Sequence, residues 1–537
     1  MAYTVIKNFS IREEFSSLPL SEYTKFMLSA MRIQPQTLKE ILLPIEKPFA
    51  SDAVDLAIDA IHDAIASGSK IMVCGDYDAD GICATTIMVD ALGRLGATVG
   101  YYIPDRLKEG YGLKAKTVEA AIEKGYDVFI LVDNGVSAKE ALEVIAMAQK
   151  QAIIFDHHII SSDVLCDVLV HPADFEPYYQ EMCASGLAYL FAKEANVATP
   201  AMLQLAMVAT IGDMMPLLGF NRELVKKGLA SYNESAYLPL SLLMDKVNGP
   251  MDEQTVAFQI VPKLNVVGRL ADLANVNQVV RYLLATQVDQ LEPVAKAIKE
   301  LNQKRKEKTA EMLAVALEKL GDGPMDVIVD ASFHQGLVGI TAGQLMRITK
   351  KPTLVLAETE TSYKGSGRSD SMNLHTFLHQ YADYMLHFGG HAQAAGLEVA
   401  KERFAEFSTQ IMQDVYEFVE SEDLVLEEVF EFPLESISCA AIKEFEQLAP
   451  FGQGFSKPLI LVDHVRVDRT AHLPNKKLSK WIVSSPIAFE VICFEEVEED
   501  ALEASSIAII GNFGLNTFRN QTKCVFFAQK VLKARAF

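Results

Sequence analysis

Residues 71–81 read I-M-V-C-G-D-Y-D-A-D-G, and the fold prediction starts from them. Four apolar residues precede a glycine, and Asp76, Asp78 and Asp80 follow at alternate positions. Such an apolar run predicts a strand buried on both faces, and the Gly-Asp break marks its carboxyl end, where open α/β sheets bind ligands. Three carboxylates at one strand end repel one another, so they predict a bound cation, unless they only cap the next helix.

Polar residues also lie at the ends of the predicted strands and helices that follow. The predicted elements are strands over residues 96–103, 126–132 and 152–155 and helices over 115–124, 138–150 and 201–211. This alternation is typical of a mostly parallel sheet with helices on both faces. Asp133 follows the second of these strands, Asp156, His157 and His158 follow the third, and Asp213 ends the last helix.

We expect these groups to meet in space, because the carboxyl ends of parallel strands lie along one edge of a sheet. Oxygen ligands with one or two imidazoles suit Mn²⁺ or Mg²⁺ better than zinc. Two such ions about 3.5–4 Å apart can clamp an in-line displacement at phosphorus. Each aspartate alone also fits a turn or cap, and each histidine a surface or core position. Their shared placement at element ends favours the metal site.

The chain of 537 residues is too long for a single core, so we predict several domains. They are an N-terminal extension over 1–50, a catalytic domain over 51–250, a connecting segment over 251–320, a second α/β domain over 321–422 and a β-rich domain over 423–537. A long helix is predicted over residues 278–320, with Asn302, Arg305 and Lys308 at helical spacing. Five or six short strands in the last domain predict a small barrel.

Composition narrows the function classes. The 49 Lys and Arg against 71 Asp and Glu give a net charge of −22, which argues against a nonspecific nucleic-acid binder, although a basic cleft can lie on an acidic body. Seven cysteines without a C-x-x-C pair fit a reducing cytoplasm rather than a disulfide framework or zinc site. With neither a secretory signal pattern nor a spanning apolar run, we expect a cytoplasmic protein that is not membrane-bound.

Ordered motifs link the chain to a known family. D-Y-D-A-D-G, V-D-N-G, D-H-H and G-D-M-M-P-L, at 76–81, 132–135, 156–158 and 212–217, resemble the signature motifs of the DHH phosphoesterase superfamily. P-D-R-L-K-E-G-Y-G-L at 104–113 and P-K-L-N-V-V-G-R-L at 262–270 resemble its RecJ branch of single-strand-specific 5′→3′ exonucleases. H-Q-G-L-V-G-I at 334–340, K-G-S-G-R-S at 364–369 and F-G-G-H-A-Q-A-A-G at 388–396 resemble the companion DHHA1 domain.

The resemblance implies an α/β architecture: a DHH domain with a mostly parallel sheet, a long connecting helix, a DHHA1 α/β domain and a C-terminal OB-fold barrel. It implies an exonuclease that degrades single-stranded DNA to 5′-mononucleotides with two Mn²⁺ or Mg²⁺ ions, in DNA repair and recombination. The implied metal residues are Asp76, Asp78, Asp80, Asp133, His157 and Asp213. Asp133 or Asp78 would bridge the ions.

Two neighbours of the metal residues receive catalytic roles from the resemblance. Asp156 would orient His157 through its ring N–H, and His158 would contact the scissile phosphate or protonate the leaving oxygen. A surface position for His158 is the alternative.

The resemblance also implies DNA contacts. Arg106 would anchor the 5′-terminal phosphate, while Arg269 and Arg368 would grip backbone phosphates. The other expected contacts are Lys263, Ser366 and His391, with Lys477 and Trp481 on the barrel. Tyr111 is predicted to stack on a base, with a turn aromatic as the alternative. A barrel-core position is the alternative for Trp481. The implied partners are single-stranded DNA with a 5′-phosphate and a single-strand binding protein or helicase, and we expect a monomer.

Two positions depart from the branch. Lys263 replaces an arginine, and Phe455-Ser456-Lys457 follows Pro450-Phe451-Gly452-Gln453-Gly454 where the branch has Asn-Pro. The first change keeps the charge but loses the forked donor, and the second affects the junction with the barrel.

Two other functions compete with the exonuclease. One is a shorter DHH phosphodiesterase acting on short oligonucleotides or cyclic dinucleotides, but such enzymes lack the barrel and the insert with Arg106. The other is an inactive DNA-binding replisome factor, but such relatives have lost metal ligands that this chain keeps.

Overall fold

The computed structural model describes residues 3–42, 47–245, 249–421, 427–473, 478–484, 486–495, 497–518 and 521–534. The N-terminal elements are strand β1 (Tyr3–Ile6) and helices α1 (Glu13–Ser16), α2 (Glu22–Ala30) and α3 (Pro35–Leu42). Within these ranges, no helix has both the length and the apolar composition needed to cross a membrane.

Five parallel strands form the first sheet, in the order β3-β2-β4-β5-β6. They are β2 (Lys70–Cys74), β3 (Thr98–Tyr102), β4 (Val128–Val132), β5 (Gln151–Phe155) and β6 (Val168–Val170). The helices of this unit are α4 (Asp52–Ala66), α5 (Ala79–Leu95), α6 (Ala115–Glu123), α7 (Lys139–Met147), α8 (Ala184–Glu194), α9 (Pro200–Gly212), α10 (Gly219–Glu234) and α11 (Leu238–Leu243). All five residues of β4 are buried, as expected for a strand covered on both faces. The prediction of a mostly parallel sheet is confirmed.

Helix α5 begins inside the aspartate triplet because Asp78 caps it. The Asp78 carboxylate accepts hydrogen bonds from the backbone N–H groups of Asp80 (3.0 Å) and Gly81 (3.1 Å). Gly81 is needed at this position because a Cβ atom would overlap the backbone of Asp76. The capping role considered for the triplet therefore applies to Asp78, and the tight turn keeps all three carboxylates beside the positive end of the helix.

The predicted long helix is divided into a short helix and a long one. The helices of the connecting segment are α12 (Glu253–Thr255), α13 (Val261–Arg269), α14 (Asn277–Leu284) and α15 (Val288–Glu318). The prediction of one continuous helix over 278–320 is wrong at its start, because Ala285 and Gln287 adopt extended backbone conformations. Helix α14 packs on α5, whereas α15 packs on α11, α13 and α16 (Val338–Thr349), so the chain changes direction between them.

A second five-stranded sheet follows α15, in the order β10-β11-β9-β8-β7. Its strands are β7 (Asp326–Asp330), β8 (Thr353–Glu358), β9 (Ser362–Arg368), β10 (Met385–His391) and β11 (Ala394–Ala400). Only the pairing of β7 with β8 is parallel. Besides α16, this unit has α17 (Leu374–His379) and α18 (Lys401–Ser421).

The C-terminal strands form an eight-stranded sheet in the order β1-β12-β13-β17-β18-β16-β15-β14. Its later elements are β12 (Glu427–Glu431), α19 (Cys439–Glu446), β13 (Leu459–Arg466), β14 (Arg469–Leu473), β15 (Leu478–Val483), β16 (Phe489–Cys493), α20 (Glu499–Leu502), β17 (Ser506–Phe518) and β18 (Gln521–Lys533). Strand β1 pairs in parallel with β12, and Phe15, Tyr23 and Phe26 share the hydrophobic core of this barrel. The N-terminal segment therefore packs into the C-terminal unit. The domain boundaries stay predictions.

Two barrel features differ from expectation. Trp481 is 0% exposed, because alternate residues of β15 face the core. Its ring therefore offers no surface on which a DNA base could stack, and the predicted contact of Trp481 with single-stranded DNA is wrong. Lys477 lies outside the described residues. Cys439 and Cys524 form a disulfide, contrary to the expectation of free cysteines, because α19 packs across β18 and brings their Cα atoms to 6.0 Å.

Glu444 on α19 attaches helix α2 to the barrel. Its Oε2 accepts hydrogen bonds from the Ser21 N–H (2.9 Å) and from the hydroxyls of Ser21 and Thr24. We expect Glu444→Ala to lower the free energy of unfolding by about 1–2 kcal/mol, because three donors lose a charged acceptor. Urea denaturation would measure this, with Glu444→Gln, which keeps an acceptor, as the control. Equal losses in the two variants would contradict the assignment.

Candidate active site

Six predicted metal-binding side chains meet at the carboxyl edge of the first sheet. Their ligand atoms form two groups, each within 4.8 Å, which are Asp76, Asp78 and Asp133 on one side and Asp80, His157 and Asp213 on the other. The groups are adjacent, because Asp133 Oδ1 lies 3.2 Å from His157 Nε2. The same imidazole nitrogen lies 3.8 Å from Asp80 and 3.5 Å from Asp213. Asp133 therefore stands between the two groups.

Asp133 occupies an unusual backbone conformation. Its φ is +60°, in the left-handed region that non-glycine residues rarely adopt. The N–H of Asp133 donates to the Phe155 carbonyl (3.0 Å), and the buried Asn134 amide donates to the carbonyls of Cys74 (3.0 Å) and Val132 (2.9 Å). These bonds tie three strand ends together and hold the strained turn, a feature that concentrates at functional sites.

Helix α8 binds the Asp80 carboxylate at its N-terminus. The backbone N–H groups of Ala184 and Ser185 each donate to Asp80, both at 2.8 Å. Unpaired N–H groups and the helix dipole stabilise negative charge at such a position. The sequence analysis did not single out Ala184 and Ser185, since their backbone supplies the contact and their side-chain types give no signal.

The carboxylates of this site lie close together without enough positive charge beside them to offset their repulsion. Asp76 Oδ1 is buried with no hydrogen-bond partner among the described residues. Burial and neighbouring carboxylates raise the pKa values of Asp76 and Asp133, and burial together with Asp80 raises the pKa of Asp213 to about 8. Burial lowers the pKa of His157, which favours the neutral imidazole that binds metals. This set of oxygen donors with one imidazole fits Mn²⁺ or Mg²⁺.

Asp156 orients His158 rather than His157. Its Oδ1 lies 2.7 Å from His158 Nδ1 and accepts from the backbone N–H groups of His157 (2.8 Å) and His158 (3.2 Å), while Oδ2 accepts from the Val136 N–H (3.1 Å). The predicted contact with the His157 ring is wrong, because that ring lies against Asp133. Burial disfavours the charged forms of both Asp156 and His158, but the hydrogen bond between them outweighs this effect. The pKa of Asp156 is therefore lowered and that of His158 is raised.

Tyr111 covers His158 on one side. Its ring meets the His158 ring edge to face, with centroids 5.6 Å apart, and its hydroxyl donates to the Asp133 carbonyl (3.2 Å). Tyr111 is 39% exposed, so one face of the ring stays open to solvent. Its role in stacking on a base stays a prediction.

Four arginines gather beside the acidic groups, from four different parts of the fold. They are Arg106 after β3, Arg269 at the end of α13, Arg305 on α15 and Arg368 at the end of β9. Burial, Arg106 and Arg305 lower the pKa of Arg269 to about 10, and burial and Arg106 lower the pKa of Arg368. Like charges held this close need an anion to offset their repulsion, so the cluster is a candidate phosphate site.

Arg305 and Tyr77 extend the predicted site. The Arg305 Nε is buried without a hydrogen-bond partner among the described residues, and the Arg106 guanidinium lies 4.9 Å from the Tyr77 ring centroid. The sequence analysis noted the helical spacing of Arg305 but gave it no role, and it did not single out Tyr77. Only the packing of α15 against α13 and α16 brings Arg305 to the cluster.

The remaining predicted DNA contacts are placed differently. Ser366 accepts a hydrogen bond from Arg368 Nη1 (2.6 Å), so it belongs to the arginine cluster. Lys263 is buried and lies 3.4 Å from Asp245, and burial lowers its pKa. His391 is exposed at the end of β10. The DNA contacts of all three stay predictions.

Three family models match the chain in the order of its sheets. Residues 70–210 match the DHH family N-terminal domain, residues 313–417 the DHHA1 domain and residues 430–530 the RecJ OB domain. The first two ranges contain the first two sheets, and the third covers most of the C-terminal sheet, without β1, the start of β12 and the end of β18.

Individual relatives agree with the family models. The chain is 31% identical over 497 residues to the single-stranded-DNA-specific exonuclease RecJ of Bacillus subtilis, covering 89% of this chain and 63% of that relative, so it spans just under two thirds of its length. The crystal structure of Thermus thermophilus RecJ with Mn²⁺ superposes with a TM-score of 0.83 at 24% identity, covering 100% of this chain and 80% of that one, and supports the fold.

A second solved structure adds closer sequence similarity. It is the exonuclease RecJ bound to manganese, which is 30% identical with a TM-score of 0.61, covering 70% of this chain and 97% of that one. Together with the ordered motifs and the three matched domains, this similarity shows that the chain belongs to the RecJ family of DHH phosphoesterases.

Proposed function

We propose that this chain is a metal-dependent 5′→3′ exonuclease that degrades single-stranded DNA to 5′-mononucleotides, in DNA repair and recombination. One observation carries the proposal: two groups of buried and half-buried ligands adjoin at Asp133, beside the cluster of four arginines. Metal ligands next to a cationic cluster suit a phosphodiester better than any neutral substrate. The similar proteins are named single-stranded-DNA-specific exonucleases, which supports this choice.

We propose that two Mn²⁺ or Mg²⁺ ions bind at the two ligand groups, with Asp133 shared between them. A solved relative is described as bound to manganese, which supports the choice of ion. When bound, such ions lower the pKa of a coordinated water and offset the charge that develops on the phosphate. The strained Asp133 turn and the α8 N-terminus keep Asp133 and Asp80 in place, so ligand positions are set before substrate binds.

We propose that His158 supplies the proton for the departing 3′-oxygen. Its hydrogen bond to Asp156 orients the ring and raises its pKa, which favours the charged form, whose Nε2–H can donate a proton. Tyr111 limits the movement of this ring from the other side. His157 differs, because it is neutral and faces Asp133.

We propose that the arginine cluster binds the 5′-terminal phosphate and the next backbone phosphates. Arg106 is held over the Tyr77 ring, and Tyr77 stands between two of the acidic residues, so a phosphate bound by Arg106 lies near the ligand groups. Arg368 and Ser366 contribute donors from the second α/β unit. The scissile bond would then be the first one after the 5′ end.

Digestion of labelled oligonucleotides tests the function. We expect mononucleotides from 5′-phosphorylated single strands with Mn²⁺ or Mg²⁺, slower release from 5′-hydroxyl strands, and none from duplex or with chelator. Release that is indifferent to chelator would contradict the proposal. Equal turnover of dinucleotides and long strands would favour the short-oligonucleotide phosphodiesterase instead.

The salt dependence of binding tests the arginine cluster. We expect Arg305→Gln to reduce the slope of log K against log salt for single-stranded DNA by about 0.7, the value for one lost phosphate contact. Fluorescence anisotropy with Ca²⁺ in place of Mn²⁺ would measure this slope. The control is Arg347→Gln, which removes the same charge from an exposed position of α16. Identical slopes in the two variants would remove Arg305 from the site.

We also propose that the protein acts as a monomer in the cytoplasm, on strands supplied by a helicase or covered by a single-strand binding protein. Free single strands arise where duplex DNA is opened, so a strand-specific nuclease depends on such partners. We propose the domain limits 51–250, 321–422 and 423–537 for the three units, with residues 251–320 connecting the first two.

A further inference from the structure

The junction that leads into the barrel lies against the loop that follows Asp213. The N–H of Leu217 donates to the Gln453 carbonyl (2.8 Å). Gly452 and Gly454 pack so closely on this loop that added Cβ atoms would lie 2.7 Å from the Leu217 side chain and 3.2 Å from Pro216. The barrel junction is therefore in direct contact with Pro216 and Leu217, at the end of the loop 213–217.

The start of the loop is held by α9. The N–H groups of Asp213, Met214 and Met215 donate to its carbonyls, at 2.8, 3.2 and 3.1 Å. Asp213 ends α9, and Met214, the next residue, has a φ of +55° and is 69% exposed. Helix α10 begins only at Gly219, so the intervening residues lie outside both helices and outside the sheet. Within the first unit, the Asn221 amide donates to the Pro216 carbonyl (3.1 Å). The barrel junction adds support at the far end of the loop, at Pro216 and Leu217.

Arg222 in the first turn of α10 fixes the junction. Its guanidinium donates to the carbonyls of Leu448, Ala449 (3.3 Å) and Pro450 (2.8 Å), and it is only 5% exposed. It also lies over the Phe455 ring, 4.5 Å from the centroid. A buried guanidinium with three carbonyl acceptors and an aromatic face has a single geometry available, so it sets the position of the junction relative to α10.

Phe455 is one of the residues by which this chain departs from its branch. It is 1% exposed and stacks on Phe451, with centroids 5.5 Å apart and planes 6° apart. The N–H of Phe451 donates to the Glu253 carboxylate (3.1 Å), which adds an attachment to α12. An asparagine at 455 would offer no aromatic face, so the contact with the Arg222 guanidinium belongs to this chain's own sequence.

We propose that Arg222 and Phe455 are positioning residues for Asp213: by locking the barrel junction against residues 213–217, they keep the Asp213 carboxylate within reach of Asp80 and His157. Neither side chain contacts the acidic groups, and both act through the loop. The proposal rests on the metal site proposed above. In this proposal the barrel helps to position a metal ligand, in addition to its expected role of binding single-stranded DNA.

Mn²⁺ titration calorimetry of the full chain tests this role with Arg222→Met and Phe455→Leu. The control, Val491→Ala, shortens a side chain that is equally buried in the same barrel core but lies on β16, away from the junction. We expect the Mn²⁺ dissociation constant to rise about tenfold or more in the first two variants and to stay unchanged in the control, the effect of losing an outer support of a metal ligand. Saturating Mn²⁺ should restore their kcat.

The outcomes separate the two proposals. If the parent protein binds no Mn²⁺, both the metal site and this inference are overturned. If it binds Mn²⁺ and the three variants bind equally well, only the positioning role is overturned. A control that weakens Mn²⁺ binding as much as Phe455→Leu, at matched thermal unfolding temperatures, would assign the effect to barrel stability and also overturn it.

Discussion

Replacing Asp133 with asparagine is expected to lower exonuclease activity by at least about 10³-fold, at the upper end for loss of one preorganised electrostatic contact. Asp133 stands between the two ligand groups, so the change removes a charge from both proposed ions. Asparagine has nearly the same shape, so the strained turn and its hydrogen bonds should persist. Mononucleotide release at saturating Mn²⁺ would measure the loss.

The same variant should make the metal-free protein more stable. Burial and four neighbouring aspartates raise the pKa of Asp133, so the folded chain holds protons that the unfolded chain releases. As pH rises from the unfolded pKa of about 3.9 towards the folded pKa, stability falls by about 1.4 kcal/mol for every rise of one in pH. The gain from Asp133→Asn should therefore be larger at pH 8 than at pH 5. Denaturation in chelator at both pH values would test it.

An exposed aspartate provides the control for this prediction. Asp163→Asn removes the same charge from the surface and should change neither activity nor stability at either pH. If Asp133→Asn kept its activity, the central assignment would fail. If it destabilised the metal-free protein at pH 8, crowding of carboxylates would not be the dominant electrostatic feature of the site.

Asp156→Asn is expected to lower kcat by about 10²–10³-fold while leaving Mn²⁺ affinity unchanged. The variant keeps an oxygen that can accept from the His157 and His158 backbone N–H groups. It loses the acceptor of the Val136 N–H and the charge that favours protonated His158. The pKa of His158 should therefore fall, moving the alkaline limb of the kcat profile to lower pH. Kinetics across pH 6–9 and Mn²⁺ titration would measure both effects.

Linkage provides a second measurement on this pair. The raised pKa of His158 contributes stability that is present below its unfolded value of about 6.5 and is lost as pH rises through the folded value. The lowered pKa of Asp156 contributes stability that is lost only under acidic conditions. Asp156→Asn should thus cost more stability at pH 6 than at pH 9.

Adding His158→Gln to Asp156→Asn should lower kcat little further, since the two residues act as a unit. If the fold losses in kcat of the two single variants multiplied in the double variant, the two residues would act independently.

The acidic cluster could be predicted from the sequence because it depends on short local patterns. An apolar strand followed by a polar group can be read directly, and parallel pairing then brings Asp76, Asp133 and His157 to one edge without further information. The same reasoning predicted a mostly parallel sheet but not the break at residues 285–287. That break depends on which neighbours α14 and α15 pack against, and the sequence pattern does not contain this information.

The errors concern side-chain directions. Asp156 precedes two histidines, and the sequence cannot tell which ring turns back to it, because Tyr111 and Asp133, distant in the chain, decide this. For Trp481, the barrel core and the DNA-binding surface were both open from the sequence, and only the alternation along β15 turns its ring inward. Arg305 and Arg222 were missed as site residues because their partners come from other domains.

The pairing of β1 with β12 affects how the chain is made. The first strand and the apolar helices behind it find their core only after the barrel strands, more than 400 residues later, have been synthesised. At ribosomal speeds of about 5–20 residues per second, Phe15 and Phe26 remain without their partners for about 20–100 s. Until then, the apolar side chains of this segment lack the barrel surface against which they pack in the folded chain.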